Sequence, residues 1–334
     1  MKNYLNRYMA TCVPGLESVL TDEIKELRHI NNLSETRGKV TFDCLSADLD
    51  SIRLKCADNL YKLYRIFAVG CHKVDLPAIG ANIKDIDFEM GSRVPHRIII
   101  SASRSGKHTY SRHNVAQYVE SGLISTERYI KGDSENHDLA VRVDIADNIC
   151  AVYKQLTPSE MRFRGGFNSV PGGIRPTVAH CLVRLSLPQN NDVFYDPFCG
   201  AGTIPYERSY YKSKKIYASD NNEEIVEIAR RNLKQSAIVF SGDAAKSKMK
   251  ERGVNIVITN LPWDRQIKVD NIYELYLGFI KELKRILTGD GKAIVLSGQV
   301  ALIEDICIQS DLSCSRITEL SLHGLHPVVF IITR

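Results

Sequence analysis

The stretch from Val193 to Glu207 constrains this chain more than any other. An apolar run, Val193-Phe-Tyr195, ends in Asp196, and Pro197-Phe-Cys-Gly-Ala-Gly202 follows before residues that can turn helical from Thr203. A buried strand, a tight loop and a helix in that order open a doubly wound α/β domain. Gly200 and Gly202 permit positive φ and let a ligand lie against bare backbone. A dinucleotide fingerprint needs a third glycine for close helix–strand packing, and Pro205 stands in its place. The loop therefore disfavours a pyrophosphate, and the carboxylate of Asp196 suits a cationic ligand better than a phosphate.

Downstream the pattern repeats. Strand-like runs at 215–220, 237–242, 254–259 and 291–297 alternate with helical patterns at 203–210, 222–234, 271–287 and 299–309. Residues 316–322 and 327–333 leave no room for a helix between them, which predicts a closing antiparallel hairpin. Upstream, Arg175-Pro-Thr177 starts a helix with Val178, Cys181, Leu182 and Leu185 on one face, because proline in the first turn loses no needed hydrogen bond.

In open α/β sheets, ligands bind beyond the carboxyl ends of the strands. Asp220, followed by Asn221, ends the second strand, where a carboxylate can accept two ribose hydroxyls. Asp243, followed by Ala244, ends the third, where it can accept an adenine amino group. Either aspartate could instead cap the helix that follows. Cys199 reads as a small packing residue within the loop.

The front half has a different rhythm. Residues 8–13 read as a strand, and Pro14-Gly15 opens a helix with Leu16, Val19, Leu20, Ile24 and Leu27 on one face. Val40, Phe42 and Cys44 alternate in a strand, Ser46 can cap a helix carrying Leu49, Ile52 and Cys56, and 61–67 reads as a further strand. A strand–helix–strand unit used twice within some 65 residues predicts a ferredoxin-like α+β domain over 1–68. After a loose stretch through Pro77, Gly80 and Gly91, a strand over 96–103, a helix over 111–129 and an alternating hairpin over 139–156 form a second α+β unit, 69–158. Residues 159–334 complete the division into three domains.

Net charge is only +5, and residues 1–160 carry 21 basic and 21 acidic side chains, so the distribution carries more information than the sum. Two windows lack acids altogether. One, 91–119, holds Arg93, Arg97, Arg104, Lys107 and Arg112; the other, 161–191, holds Arg162, Arg164, Arg175 and Arg184. Acid-free windows on both sides of a site suit a polyanion. The nine cysteines include no C-x-x-C pair, so no metal is expected, and reduced cysteines of this kind fit the cytosol. No run approaches the ~18 apolar residues of a membrane span.

Three motifs carry a family resemblance. Asp196-Pro-Phe-Cys-Gly-Ala-Gly-Thr203 resembles the first motif of S-adenosylmethionine-dependent methyltransferases, which implies that Asp196, Cys199, Gly200, Ala201, Gly202 and Thr203 hold the cofactor, with Asp220, Asn221, Asp243 and Ala244 completing its site. Ser103-Arg-Ser-Gly-Lys-His108, followed by the hairpin and Arg164-Gly-Gly, resembles a THUMP domain, and the opening strand with Pro14-Gly-Leu-Glu17 resembles the ferredoxin-like domain that precedes it. That likeness implies RNA contacts at Arg93, Arg104, Lys107, Arg112, Arg162 and Arg164, and a cofactor-side role for Arg175 and Thr177 in an R-P-T helix. Asn260-Leu-Pro-Trp263 resembles the N-P-P-Y motif of enzymes that methylate exocyclic base amines.

The chemistry of that last motif is direct. A guanine N2 lone pair is delocalised into the ring. Accepting its two N–H bonds at the Asn260 amide oxygen and the Leu261 carbonyl pyramidalises the nitrogen; Pro262 stiffens the turn and Trp263 can stack on an extruded base. Together these implications describe an α/β protein, a Rossmann-like class I methyltransferase domain preceded by ferredoxin-like α+β and THUMP domains. It would act as a cytosolic monomer on tRNA, methylating guanine N2, with guanosine 6 of the acceptor stem as first choice. Position 10, ribosomal RNA, a small-molecule substrate and an RNA-binding protein without catalysis are the other readings. A fragment starting at Met161 is expected to keep cofactor binding.

Overall fold

The computed structural model describes residues 5–45, 54–91, 95–158, 162–263, 271–322 and 324–334. The helix expected from Ser46 and the side chain of Arg93 lie outside them. The front half builds one eight-stranded sheet. Its first strands are β1 (Leu5–Thr11), β2 (Asn31–Thr36), β3 (Lys39–Leu45) and β4 (Asn59–Ala68), and helix α1 (Glu17–Lys25) follows β1. Helices α2 (Leu76–Ile83) and α3 (Arg112–Ile124) then alternate with β5 (His96–Ser105), β6 (Tyr129–Lys131), β7 (Leu139–Ala146) and β8 (Ile149–Gln155). The order is β2-β3-β1-β4-β8-β7-β5-β6, so the boundary expected at 68/69 falls inside a continuous sheet.

Two elements were invisible in the pattern for physical reasons. β2 is an edge strand with five of six side chains exposed, so its sequence Asn-Asn-Leu-Ser-Glu-Thr has no buried face to show as alternation. α2 contains Gly80, which lowers helix propensity, yet a Cβ there would sit 2.8 Å from the Tyr118 carbonyl oxygen. Gly122 of α3 faces it, and its Cβ would lie 2.6 Å from the Gly80 carbonyl oxygen. The two glycines let the helices cross backbone to backbone. The helix expected to reach residue 129 ends at Ile124, and Tyr129 instead starts β6 beside β5.

The second half is a seven-stranded sheet. It comprises β9 (Val193–Asp196), β10 (Lys215–Asp220), β11 (Ile238–Ser241), β12 (Val254–Asn260), β13 (Leu287–Ser297), β14 (Ser313–Glu319) and β15 (Val328–Thr333). Helices α4 (Pro176–Leu185), α5 (Thr203–Arg208), α6 (Glu223–Leu233), α7 (Ile272–Ile286) and α8 (Val300–Gln309) cover it. The order β11-β10-β9-β12-β13-β15-β14 is parallel except for the final hairpin, as the chain end predicts. Neighbours β9 and β12 run away from each other in connectivity, so the topological switch point lies between them, at Asp196 and Asn260.

The halves share one core. Val13, Leu16, Leu20 and Cys56 from the front pack in the same buried cluster as Val178, Cys181 and Leu182 of α4 and Phe194, Ile258 and Val329 of the second sheet. The contact is also polar: Thr177 Oγ1 donates to Asp58 at 2.6 Å, and Thr318 Oγ1 to the Gly15 carbonyl at 2.8 Å. Among the described residues no helix is long and apolar enough to cross a membrane.

Candidate active site

Asp196 closes β9 fully buried. Its Oδ1 accepts from Thr259 Oγ1 at 2.8 Å and from the Phe198 amide at 3.2 Å, which ties the ends of β9 and β12 together. Its Oδ2 has no partner among the described residues. Burial pushes this carboxyl up to about 7, with nearby Asp220 adding to the shift. The loop beyond it turns as the glycines predict, with φ of +51° at Gly200 and +87° at Gly202. Their roles differ. A Cβ on Gly202 would meet Leu233 of α6 at 2.8 Å, so that glycine is needed for packing, whereas Gly200 would touch only Val170, leaving its backbone open to a ligand.

Asp220 is half-buried and holds the loop: its Oδ2 accepts the Gly200 amide at 3.1 Å and its Oδ1 the Asn222 amide at 3.1 Å. Each oxygen keeps a lone pair for a further donor. The α6 cap is Asn222, not Asp220, since Asn222 Oδ1 accepts from the Glu224 and Ile225 amides, and Asn221 is exposed beside it. Asp243 is exposed and closes a local turn onto the Ala245 amide, with Ala244 buried. Cys199 packs with Ala218, Ala229 and Leu233, and burial raises its thiol far above the range where a thiolate forms. Asn232 was not foreseen: from α6 it donates to the Ala201 carbonyl at 2.8 Å and so fastens the loop from outside.

Across the switch point, Asn260 ends β12 with its Oδ1 buried and without a described partner. Leu261 is buried, its N–H on the Leu296 carbonyl at 3.0 Å. The Trp263 indole lies over Gly298, and its Nε1 is also buried without a described partner. Buried polar atoms rarely stay unpaired, because each costs roughly 1–3 kcal/mol. Asp196 Oδ2, Asn260 Oδ1 and Trp263 Nε1 are two acceptors and a donor without a described partner at and just beyond the carboxyl ends of β9 and β12. An unpartnered carboxyl oxygen beside an open glycine backbone and a second carboxylate fits the ammonium and hydroxyls of S-adenosylmethionine.

Other expected residues go elsewhere. Arg164 is drawn inward: its Nε donates to buried Glu207 Oε1 at 2.9 Å and its Nη2 to the Lys55 carbonyl at 2.8 Å. The acid that neutralises it is 43 positions away, so an acid-free window could not reveal it. Arg175 and Thr177 reach Asp58 in the front half, at 3.5 and 2.6 Å. Arg162 lies against the Phe163 ring with its Nε buried. Arg104, Lys107 and Arg112 are exposed, as an RNA contact requires, although Arg104 also reaches the Gly106 carbonyl and His108.

Among the described residues one group has metal-ligand chemistry: Glu23, Cys56 and His180, with ligand atoms within 4.8 Å of one another. Its polar atoms are already engaged. Glu23 accepts the Lys55 and Cys56 amides at 2.8 and 2.9 Å, and His180 bonds Glu207 at 2.9 Å and the Tyr211 hydroxyl at 3.1 Å. The group brings the two halves face to face, His180 Nε2 lying 3.9 Å from Glu23 Oε1, with the hydrogen bonds of Glu23 and of His180 each kept within its own half.

Residues 167–327 match the methyltransferase domain described as UPF0020, RMKL-like. The chain carries a methyltransferase domain of that family. Its sequence match begins at Phe167 and ends at Pro327, taking in β9 to β14 with Asp196, the glycine loop and Asn260, and stopping just before β15. Residues 7–53 match the RlmL ferredoxin-like domain. Over 98% of its length the chain is 21% identical to the tRNA (guanine(6)-N2)-methyltransferase of Methanocaldococcus jannaschii, 99% of which is covered. The fold of the methyltransferase domain and of the front half together is that of TrmN from Thermus thermophilus, with a TM-score of 0.86 at 21% identity over 99% of this chain and all of that one. A putative methyltransferase, SMU.472, whose structure was solved with SAH, superposes with a TM-score of 0.77 at 16% identity over 100% of this chain and 99% of that one.

Proposed function

We propose that the protein is an S-adenosylmethionine-dependent tRNA (guanine-N2)-methyltransferase that acts on guanosine 6 as a cytosolic monomer. The observation that carries this reading is the Asn260 Oδ1 without a described partner at the carboxyl end of β12, the strand beside β9 at the switch point. The full-length relative named for guanosine 6 supports the choice of nucleotide. What S-adenosylmethionine supplies when bound is an electrophilic methyl group on a sulfonium sulfur. Asp196 and Asp220 orient the cofactor, Asn260 Oδ1 and the Leu261 carbonyl accept the two N–H bonds of the base amine, and the buried β12 terminus keeps water out. No residue of this set needs to be a nucleophile, so positioning accounts for most of the rate. Mass spectrometry of nucleosides from tRNA incubated with the protein and cofactor should show N2-methylguanosine at position 6. N2-methylguanosine at position 10, or methylated adenosine or cytidine instead, would replace this assignment.

The buried Asp196 makes cofactor binding depend on pH. Its carboxyl titrates near 7, above the ordinary carboxylate range, so at pH 6 most of the protein carries it neutral. A cationic partner favours the carboxylate. Affinity should therefore rise by about tenfold per pH unit up to about 7 and level off above it, with release of a proton on binding. Calorimetry at pH 6 in two buffers of different ionisation enthalpy measures that proton. Asp196→Asn should release about one fewer, and equal release by both proteins would remove Asp196 from the cofactor site.

RNA affinity should fall steeply with salt as counterions are released. Lys107→Ala should reduce the slope of log K against log salt by about one. An unchanged slope would make the 104–112 loop a solvated surface.

A further inference from the structure

The Asn260-Leu-Pro-Trp263 segment is held from behind. The Pro262 carbonyl accepts from the Tyr276 hydroxyl at 2.7 Å, and the Trp263 carbonyl from Gln299 Nε2 at 3.2 Å. No described residue donates to the Leu261 carbonyl that precedes them. The Tyr276 hydroxyl is 2.9 Å from Ser297 Oγ, which accepts the Gln299 amide at 3.0 Å. A carbonyl can only accept, so the single tyrosine proton goes to Pro262. Ser297 must then donate to Tyr276, and every bond in the relay points toward Pro262, each polarising the next. Tyr276 is fully buried on α7, and burial pushes its hydroxyl up to about 12, so it remains a donor through the neutral range.

We propose that Tyr276 is a positioning residue for methyl transfer, aiming the Leu261 carbonyl and the Asn260 amide at the base amine through its bond to Pro262. This rests on the reading of Asn260 and Leu261 as the acceptor pair. Leu261 is anchored at its N–H, and the ring of Pro262 fixes its φ near −65°. With the Pro262 carbonyl also held, the peptide that carries the Leu261 oxygen has little freedom left. Without the Tyr276 hydroxyl the turn can rotate about Pro262, and the free acceptor swings off line.

Tyr276→Phe in the full chain keeps the buried ring and removes one oxygen. It should lower kcat by about 10- to 100-fold, while cofactor affinity and the KM for tRNA stay within about threefold, because only the aim is lost. Trp263 is the sole tryptophan of the sequence, so its fluorescence reports the segment without any turnover. Its quenching by acrylamide should rise by about twofold in the variant as the segment loosens. Ser297→Ala, which breaks the relay one step back, should shift both readouts less and in the same direction. A Tyr276→Phe protein with wild-type kcat and wild-type quenching overturns the proposal, even if its melting temperature falls. Should Tyr276→Phe fail to fold, unchanged kcat and quenching in Ser297→Ala overturn it equally. A wild-type protein that makes no methylated base amine defeats the acceptor-pair reading, and the quenching comparison then decides alone whether Tyr276 holds the segment.

Discussion

Replacing Asn260 by alanine should lower kcat by ~10²-fold or more and leave affinity for S-adenosylmethionine within a few-fold. The amide oxygen is buried at the carboxyl end of β12 with no described partner, so the free protein loses no hydrogen bond at that oxygen. Only the base amine would miss it, at the moment its lone pair must leave conjugation with the ring. An interaction made in the transition state alone appears in kcat and kcat/KM together. Single-turnover methyl transfer with saturating cofactor measures the step directly. A variant that keeps more than about a tenth of wild-type kcat would show that Asn260 does not orient the amine.

Glu207→Gln should destabilise the folded protein by about 3–5 kcal/mol, since it leaves a largely buried guanidinium without its counter-charge. Glu207 is fully buried on α5 and binds both Arg164 and His180. Chemical denaturation reads the loss, and a change below about 1 kcal/mol would mean that water reaches the pair. Arg164→Ala separates this structural role from an RNA contact. It should lower stability while leaving the salt slope of tRNA binding unchanged.

How far the site could be read from sequence depends on how far apart its partners lie along the chain. The glycine loop and the Asn260 segment are local devices: a positive-φ turn and a strand end announce themselves within ten residues, and both stand where expected. Arg164 could not be read this way, because its meaning depends on Glu207, 43 positions on. Thr177 likewise finds Asp58, 119 positions back, so the R-P-T helix reads as a cofactor element in sequence and joins the halves in space. Tyr276 and Ser297 lay beyond reach for the same reason: one looks like a core residue of an amphipathic helix, the other like a strand end. β2 escaped for the opposite reason, since an edge strand exposed on both faces has no hydrophobic period.

The order of strands in the front sheet also governs how the protein emerges from a ribosome. β4 lies between β1 and β8, yet 90 positions separate Asn59 from Ile149, so β4 waits with one edge open while that length of chain is made. An open edge on an apolar strand invites pairing with other chains. Closing the sheet does not complete the core, because Leu16, Leu20 and Cys56 belong to a cluster that also takes in α4 and the second sheet. A fragment beginning at Met161 would meet the converse exposure, with the face of α4 that carries Val178 and Leu182 bared to water. Translation therefore delivers two halves that complete each other late, and chaperone demand should peak before the last strand leaves the exit tunnel.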